Sequence, residues 1–565
     1  MKVIIVGGVA GGASAAARLR RMDEKAQIIV YEKGPYISYA NCGLPYYIGG
    51  DITDKYDLLL ETPDTFKQRF NIDVFVNHKV VAINKEKKQV TVEDLASGKQ
   101  SFEDYDKLVL SPGAEVIVPP LPGIDSPLIF TLRTVPDTLK IKEFIANNKP
   151  QSVLIVGGGY IGIEMAENLV QAGLRVTVAE LTDHVIAPLD YDMAAEVHQY
   201  LRHKGVTLLL NQGVQSFATA NHKITATIAG KPYEFDMVLM SVGVKPDTKF
   251  VVSSGLKLTP RGAILTDEHM LTSDPNIYAV GDAVAIKNYV TGEEGYIPLA
   301  GPANKQGRIV ADNLVGIPST YKGTQGAAIL KIFDMNIATT GLNETAVKKA
   351  GIAYDKIYNL DANQAGYYPG GTNMTIKLLF EKVTGKILGA QIVGYKGVDK
   401  RIDVLSTAMR GHMSVDDLTD LEIAYAPPFA SAKDPVNMTG YLAQNVLHGV
   451  IKQYYVEDLC QIPADGSVII LDVRSPGEFR RGHIDGAINI PVDFIRENLH
   501  KLDKSKKIYV NCLSGFRSYL ACRILTQSGY DCAHLAGGYR MFQILDNEAV
   551  VETGLKGRCG RLLKK

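Results

Sequence analysis

Two glycine-rich turns and two of the six cysteines carry the chemistry legible in this sequence. Gly157, Gly159 and Gly162 complete a GxGxxG pattern around Tyr160 and Ile161, and Glu180 stands eighteen residues past the last glycine. Between a strand and a helix, such a turn lets backbone N–H groups and the positive helix end meet a pyrophosphate, while the acid takes ribose hydroxyls. Glu180 would repel a 2′-phosphate and no Arg follows it directly, so NADH is expected ahead of NADPH. An earlier turn runs Gly7, Gly8, Val9, Ala10, Gly11, Gly12, with Glu32 beyond it. Val9 takes the place of the middle glycine, where backbone approach to a phosphate is therefore less free.

The cysteines (Cys42, Cys460, Cys512, Cys522, Cys532, Cys559) are too sparse for a disulfide scaffold, and no CxxC pair occurs that would hold a metal. That usage fits a reducing, cytoplasmic setting. Cys42 sits in Ser38-Tyr39-Ala40-Asn41-Cys42-Gly43-Leu44-Pro45-Tyr46-Tyr47, where the fifth residue after it is Tyr47 and not a second cysteine. Cys512 opens the stretch Cys512-Leu513-Ser514-Gly515-Phe516-Arg517, followed by Ser518. Cys460, Cys522, Cys532 and Cys559 belong to no such constellation and read as structural.

Positioning these groups requires α/β units. Residues 2–6 and 28–31 read as buried parallel strands around an Ala-rich helix at 12–22, and residues 153–156 and 175–179 repeat the arrangement around a helix ending near Ala172. Two such units imply two dinucleotide sites. Residues 325–445 are mixed, with strand-like 328–333 and 375–380, a helix-like 402–409 and no phosphate loop. Beyond His448-Gly449 a further small α/β domain begins, with strands at 468–471 and 508–510 and a helix from about Arg517. At roughly 150 residues per domain, 565 residues allow three to five domains. With 61 basic and 61 acidic side chains, no global field marks a nucleic-acid binder. No run of 18 apolar residues marks a membrane span, and Gly7 to Gly12 followed by Arg18, Arg20 and Arg21 argue against a secretory signal.

Taken together, the two turns, Ser111-Pro112-Gly113 and the Gly281-Asp282 pair closing Thr272 to Asp282 make the chain similar to the flavoprotein disulfide reductases. The resemblance implies FAD on the first unit and NAD(P)H on the second. For FAD it implicates Gly7, Gly8, Ala10, Gly11, Gly12, Glu32, Lys33, Ser111, Pro112, Gly113, Gly281, Asp282, Pro298, Ala300 and Ala303. For the nicotinamide nucleotide it implicates Gly157, Gly159, Tyr160, Ile161, Gly162, Glu164, Glu180 and Gly243. The single-cysteine stretch around Cys42, with Gly366 to Gly370 and Tyr425-Ala426-Pro427-Pro428, resembles the coenzyme A disulfide reductases and their NADH oxidase and peroxidase relatives over residues 1–445. In that branch Tyr367 and Tyr425 would face the partner subunit's active cysteine, Ser38 and Asn41 would lie near the pantetheine end, and Arg18 and Arg21 would meet coenzyme A phosphates. A solitary redox thiol must hold its oxidising equivalent as a mixed disulfide, persulfide or sulfenic acid.

Leu471 to Arg474, Glu478-Phe479 and Gly482-His483-Ile484 through Pro491 resemble the single-domain rhodaneses. In them the loop corresponding to Leu513, Ser514, Gly515, Phe516 and Arg517 turns its N–H groups onto a persulfide on Cys512. The expected organisation is an FAD domain (1–112 and 248–322), an NAD(P)H domain (113–247), an α+β dimerisation domain (323–446), a linker (447–456), a rhodanese α/β domain (457–555) and a basic tail (556–565). The expected activity is FAD-dependent, NADH-driven reduction of coenzyme A disulfide, low-molecular-weight persulfides or polysulfide by a homodimer. Rival readings are a water-forming NADH oxidase, a pure sulfurtransferase and a non-catalytic persulfide sensor or carrier. No nucleic acid, membrane or metal partner is expected.

Overall fold

The computed structural model describes residues 1–554, grouped into two compact units: residues 1–183 with 205–326, and residues 184–204 with 327 onward. The basic tail and Cys559 lie outside the described residues. In the first unit, β1 (Lys2–Val6), β2 (Gln27–Glu32), β3 (Asp73–Val76) and β4 (Lys107–Leu110) are joined by a later strand, β10 (Ile277–Ala279), in a sheet of order β10-β4-β1-β2-β3. Every ladder is parallel. Val3, Ile4 and Ile5 are wholly buried, because strands covered on both faces need apolar side chains on both. A second parallel sheet follows, from β5 (Ile129–Thr131), β6 (Ser152–Val156), β7 (Arg175–Ala179), β8 (Thr207–Leu209) and β9 (Met237–Met240), in the order β8-β7-β6-β9-β5. The two units expected from the glycine turns are both present.

Helix α1 (Ala10–Met22) follows the first turn, α2 (Leu44–Gly49) follows Cys42, and α3 (Tyr160–Gln171) follows the second turn. The helix α5 (Ala300–Leu314) packs on α1. Their backbones meet where both chains lack side chains: a Cβ on Gly307 would lie 2.4 Å from the Gly11 carbonyl oxygen.

The second unit contains α4 (Tyr191–His203), although these residues fall within the expected NAD(P)H domain. It also contains a five-stranded antiparallel sheet, in the order β11 (Ala328–Ile332), β12 (Met335–Gly341), β15 (Ile387–Gly394), β14 (Asn373–Glu381), β13 (Tyr354–Ala362). Helices α6 (Val398–Arg410) and α7 (Pro435–Leu447) cover it. Lys377, on β14, is fully buried against Asp190, Asp192 and Glu344, with N–O separations of 2.9, 2.7 and 2.5 Å. Lys356 bridges Glu344 to Glu457, at 2.9 and 2.6 Å. A buried charge of this kind survives only when it is paired.

The C-terminal α/β domain is a parallel sheet in the order β16 (Gln453–Tyr454), β20 (Cys532–Leu535), β19 (Ile508–Asn511), β17 (Ile469–Asp472), β18 (Ala487–Asn489). Its helices are α8 (Pro476–Arg481), α9 (Phe516–Gln527) and α10 (Gly538–Thr553). Residues 453–454, expected in the linker, are an edge strand of this sheet, too short to show a period in sequence. Glu548 of α10 is fully buried and meets Arg202 of α4 through two bonds, at 2.7 and 2.8 Å, and His198 at 3.1 Å. Among the described residues no helix is long and apolar enough to cross a membrane.

Candidate functional site

The two glycine turns fold by the same rules. Gly7 has φ +94° and a Cβ there would lie 2.1 Å from the Ser111 oxygen; Gly157 has φ +105° and would meet the Ser241 oxygen at 2.3 Å. Gly12 and Gly162 would strike the carbonyls of Gly7 and Gly157 at 1.9 and 2.1 Å. These four positions admit glycine alone, which is why the pattern is readable. A Cβ on Gly159 would meet open space, leaving room beside the α3 N-terminus for a phosphate. Glu32 accepts from the Gly8 and Gly34 N–H groups at 2.8 and 2.7 Å, and Glu180 from those of Gly158 and Thr182 at 2.7 and 2.8 Å. Each acid is thus aimed by its own turn. Burial pushes Glu32 above the usual carboxylate range, against the two backbone donors.

The remaining residues expected near FAD gather around the same end of the first sheet. Ser111 follows β4 and donates its N–H to Val6, at 2.8 Å; Pro112 follows it, and Gly113 takes φ +73°. Lys33 is ion-paired with Asp247. Pro298 leads into α5, which begins at Ala300 and buries Ala303. Gly281 N–H donates to Gln306 Oε1 at 2.7 Å, and the buried Nε2 of Gln306 has no hydrogen-bond partner. That orphaned donor beside Gly281 and Asp282 fits a bound group rich in acceptors, such as a dinucleotide. Gly243, at φ +111° after β9, accepts from the Ile117 N–H at 3.0 Å.

Cys42 lies in the short 3₁₀ turn Asn41–Gly43 that feeds α2. Ser38 takes the left-handed φ of 44° and donates its N–H to Gly8 O at 2.8 Å, fastening the cysteine segment to the first turn. The thiol opens to solvent on one side, but the protein packed around it, and then Glu164, push its pKa up, while Arg133 pulls it down. Glu164, on the first turns of α3, is raised to about 7 by burial and by Glu167, against a hydrogen bond from Tyr46. Sequence reasoning missed Arg133. Its NH2 donates to Asp282 Oδ2 at 2.7 Å, and in the amide orientation that satisfies both groups Asn41 donates to Arg133 O at 2.9 Å and accepts from NH1 at 3.3 Å. One cation therefore ties the cysteine segment to Asp282. The only local signal is the Thr134 capping box, which receives the Arg133 N–H at Asp137, at 3.1 Å.

Arg18, Arg21 and Ser38 do come together, lining a cleft of about 360 Å³ with Asn304 and Arg308 of α5, a stretch expected near the flavin. Arg18 is also paired with Asp312 at 2.8 Å; Asn41 does not line this cleft. In the second unit Tyr367 and Tyr425, 58 residues apart, share a hydrogen bond of 2.8 Å between their hydroxyls. Both are exposed, at 77% and 46%.

Cys512 is buried at the end of β19. Gly515 N–H donates to its Sγ at 3.1 Å, and Sγ lies 3.4 Å from Ser518 Oγ. Ser518 donates to Gly515 O at 2.9 Å and has His534 Nδ1 at 3.5 Å. Burial drives His534 down to about 4, so the imidazole is neutral at pH 7. Tyr539 and Arg540 N–H groups hold the Cys512 and Leu513 carbonyls at 2.7 and 3.0 Å. Phe516 and Arg517 belong to the first turn of α9. Arg517 engages Glu478 through two bonds, at 2.8 and 2.7 Å, which hold that carboxyl near 2. Asp472 and Arg474 form a buried pair at 2.7 Å, a buttress to the sheet. His483 stacks on Phe479 with its Nδ1 3.0 Å from the Phe479 carbonyl. Sequence reasoning missed His534.

Three family models match: pyridine nucleotide-disulphide oxidoreductase over residues 1–307, its dimerisation domain over 327–435, and a rhodanese-like domain over 456–544. The coenzyme A disulfide reductase of Staphylococcus epidermidis is 39% identical over 444 residues, 78% of this chain and 100% of that one. The crystal structure of reduced Bacillus anthracis CoADR-RHD superposes with a TM-score of 0.95 at 45% identity, covering 97% of this chain and 98% of the other. An NAD-dependent persulfide reductase from A. fulgidus gives 0.90 at 37% identity, over 96% and 100%.

Proposed function

The chain belongs to the pyridine nucleotide-disulphide oxidoreductases, on their coenzyme A disulfide reductase branch, and from that premise we propose that it is an NADH-dependent reductase of coenzyme A disulfide, low-molecular-weight persulfides and polysulfide. One observation carries the reading: Cys42 is the only cysteine before Cys460, so the first unit has no partner with which to close an internal disulfide. The oxidising equivalent must stay on Cys42 as a bond to the substrate's own sulfur.

The Cys42 thiolate attacks one sulfur of a disulfide or the inner sulfur of a persulfide. The S–S bond breaks, a mixed disulfide forms on Cys42, and a coenzyme A thiolate or hydrosulfide leaves. FAD, when bound, would supply the two-electron path from NADH by which a mixed disulfide on Cys42 is reduced to its two thiols. Asp282, Gln306 and the turn from Gly7 to Gly12 would hold FAD, and the turn from Gly157 to Gly162 with Glu180 would hold NADH. Arg133 lowers the Cys42 pKa and so favours the nucleophilic form. The Tyr367–Tyr425 hydroxyl pair, exposed on the dimerisation domain, is suited to protonate a leaving thiolate in the partner subunit of a homodimer. Cys512 takes sulfane sulfur into a loop whose Gly515 N–H already points at it. The sparse cysteines and reduced-thiol chemistry suit the cytoplasm.

The test is anaerobic NADH consumption with coenzyme A disulfide, coenzyme A persulfide or polysulfide. Cys42→Ser abolishes turnover on all three. Cys512→Ser spares direct reduction of the coenzyme A substrates. Full activity of Cys42→Ser would refute the mechanism.

A further inference from the structure

A sulfur acceptor that draws on Cys512 has to reach a thiol that is only 1% exposed. The exposed side chains of its loop and of the helix that follows form an apolar collar: Leu513 is 40% exposed, Phe516 61% and Leu520 38%. From this collar a single face of α9 runs on through Phe516, Leu520, Arg523, Ile524 and Gln527, positions spaced to lie one above another on a helix. At 1.5 Å per residue, Phe516 to Arg523 is about 10 Å along the axis. There the face opens into a cleft of about 330 Å³, walled by Leu520 and Ile524 and bearing Arg496, Arg523 and Gln527, with Asp493 as its one acid. Arg517, the cation nearest the loop, is already committed to Glu478. Arg523 gives one N–H to the Val450 carbonyl, and Arg496 is exposed and makes no ion pair among the described residues.

The buried sulfur lies in the loop at the N-terminus of α9, and from there an apolar collar and a two-arginine cleft follow in that order along one face of the helix. A small inorganic acceptor would use neither collar nor arginines, and a purely apolar thiol would leave the guanidinium groups idle. A thiol at the end of a long amide arm with phosphates at the other end fits all three, because guanidinium forks are matched to phosphate oxygens. We propose that the Arg496–Arg523 cleft binds the phosphates of coenzyme A, whose arm lies along Leu520 and Phe516 to receive sulfur from Cys512. This deepens the function proposed above and rests on it for the fate of the product. In the step itself, the coenzyme A thiolate attacks the outer sulfur of the Cys512 persulfide. The bond between that sulfur and Cys512 Sγ breaks, the Cys512 thiolate leaves, and coenzyme A persulfide forms with its proton retained, so no electrons are gained or lost overall. That product is one of the substrates assigned to Cys42.

The experiment uses the full-length holoprotein without NADH, its Cys512 loaded with sulfur from polysulfide. It follows transfer to coenzyme A and to pantetheine, which has the same arm and thiol but no phosphate, and reads the ratio of their kcat/KM values. Because it is a ratio, general damage to the loop cancels. We expect coenzyme A to be favoured about tenfold in the wild type, as expected of partly exposed guanidinium–phosphate contacts. The ratio should fall towards one in Arg496→Glu and in Arg523→Met. Equal rates for the two acceptors in the wild type, or a preference undiminished in both variants, would overturn the proposal. NADH-driven reduction of coenzyme A disulfide, measured separately in Cys512→Ser, tests the reductase reading alone. Failure there with the phosphate preference intact would refute that reading and leave this site standing.

Discussion

Replacing Glu164 by Gln removes a carboxyl poised to titrate beside Cys42, and its consequences can be worked out in size and sign. Burial and the neighbouring Glu167 raise its pKa from 4.5 to about 7. The folded protein therefore holds this proton more tightly than the unfolded chain does. Folding is least burdened below pH 4.5, and the stability is lost as pH rises from there through 7. At about 1.4 kcal/mol per unit, the loss is about 3 kcal/mol above that window. The amide carries no such penalty, so between pH 5 and pH 8 Glu164→Gln should lose about 2.5 kcal/mol less than the wild type. Urea unfolding of the holoprotein, followed by circular dichroism because the chain has no tryptophan, measures the difference. The same substitution deletes a negative charge that raises the Cys42 pKa. Alkylation of Cys42 should accordingly be faster in the variant above pH 7 and unchanged near pH 5, where Glu164 is protonated anyway. Parallel pH profiles for the two proteins, in both unfolding and alkylation, would refute the placement of a titrating carboxyl at this thiol.

Lys377→Met should destabilise the second unit by about 3–5 kcal/mol, because Asp190, Asp192 and Glu344 would be left buried without their cation; a thermal melt by circular dichroism checks it. Gly157→Ala should raise the KM for NADH more than tenfold without reducing the flavin content read from the absorbance spectrum, since the new methyl would sit 2.3 Å from the Ser241 oxygen and strain only the second turn. Ser518→Ala should slow sulfur transfer from Cys512 to cyanide about tenfold, since the hydroxyl that accepts from the thiol and donates to Gly515 O can turn to donate to the sulfur anion, with no change in NADH-driven reduction of coenzyme A disulfide.

Sequence exposed the parts of the site that backbone sterics dictate. Gly7, Gly12, Gly157 and Gly162 are fixed by carbonyls within about 2 Å of where a side chain would begin, and such positions leave a pattern any reader can find. Cys512 was legible for the same reason, because its loop and the strand–turn–helix around it are local in the chain. Arg133 was not, since its partners Asn41 and Asp282 are distant in sequence and only the fold brings them to it. The stretch ending at Arg308 was expected near the flavin, but that Arg308 joins the Arg18 cleft shows only after α1 and α5 pack. His534 sits in a strand, Cys532–Leu535, where it reads as an ordinary core position until Ser518 is seen beside it. The helix at 191–203, expected within the NAD(P)H domain, has partners no local pattern announces: Asp192 meets Lys377 on β14, and His198 and Arg202 meet Glu548 on α10.

The contact between Glu548 and the pair His198 and Arg202 bears on how such a chain could be shortened. A gene cut after α7 would delete the carboxylate and leave an arginine and an imidazole without their partner on a helix shaped to be covered. The C-terminal domain is thus more than added length: its last helix is fastened to side chains some 350 residues upstream, so exchanging it for another domain would have to be matched by changes at His198 and Arg202.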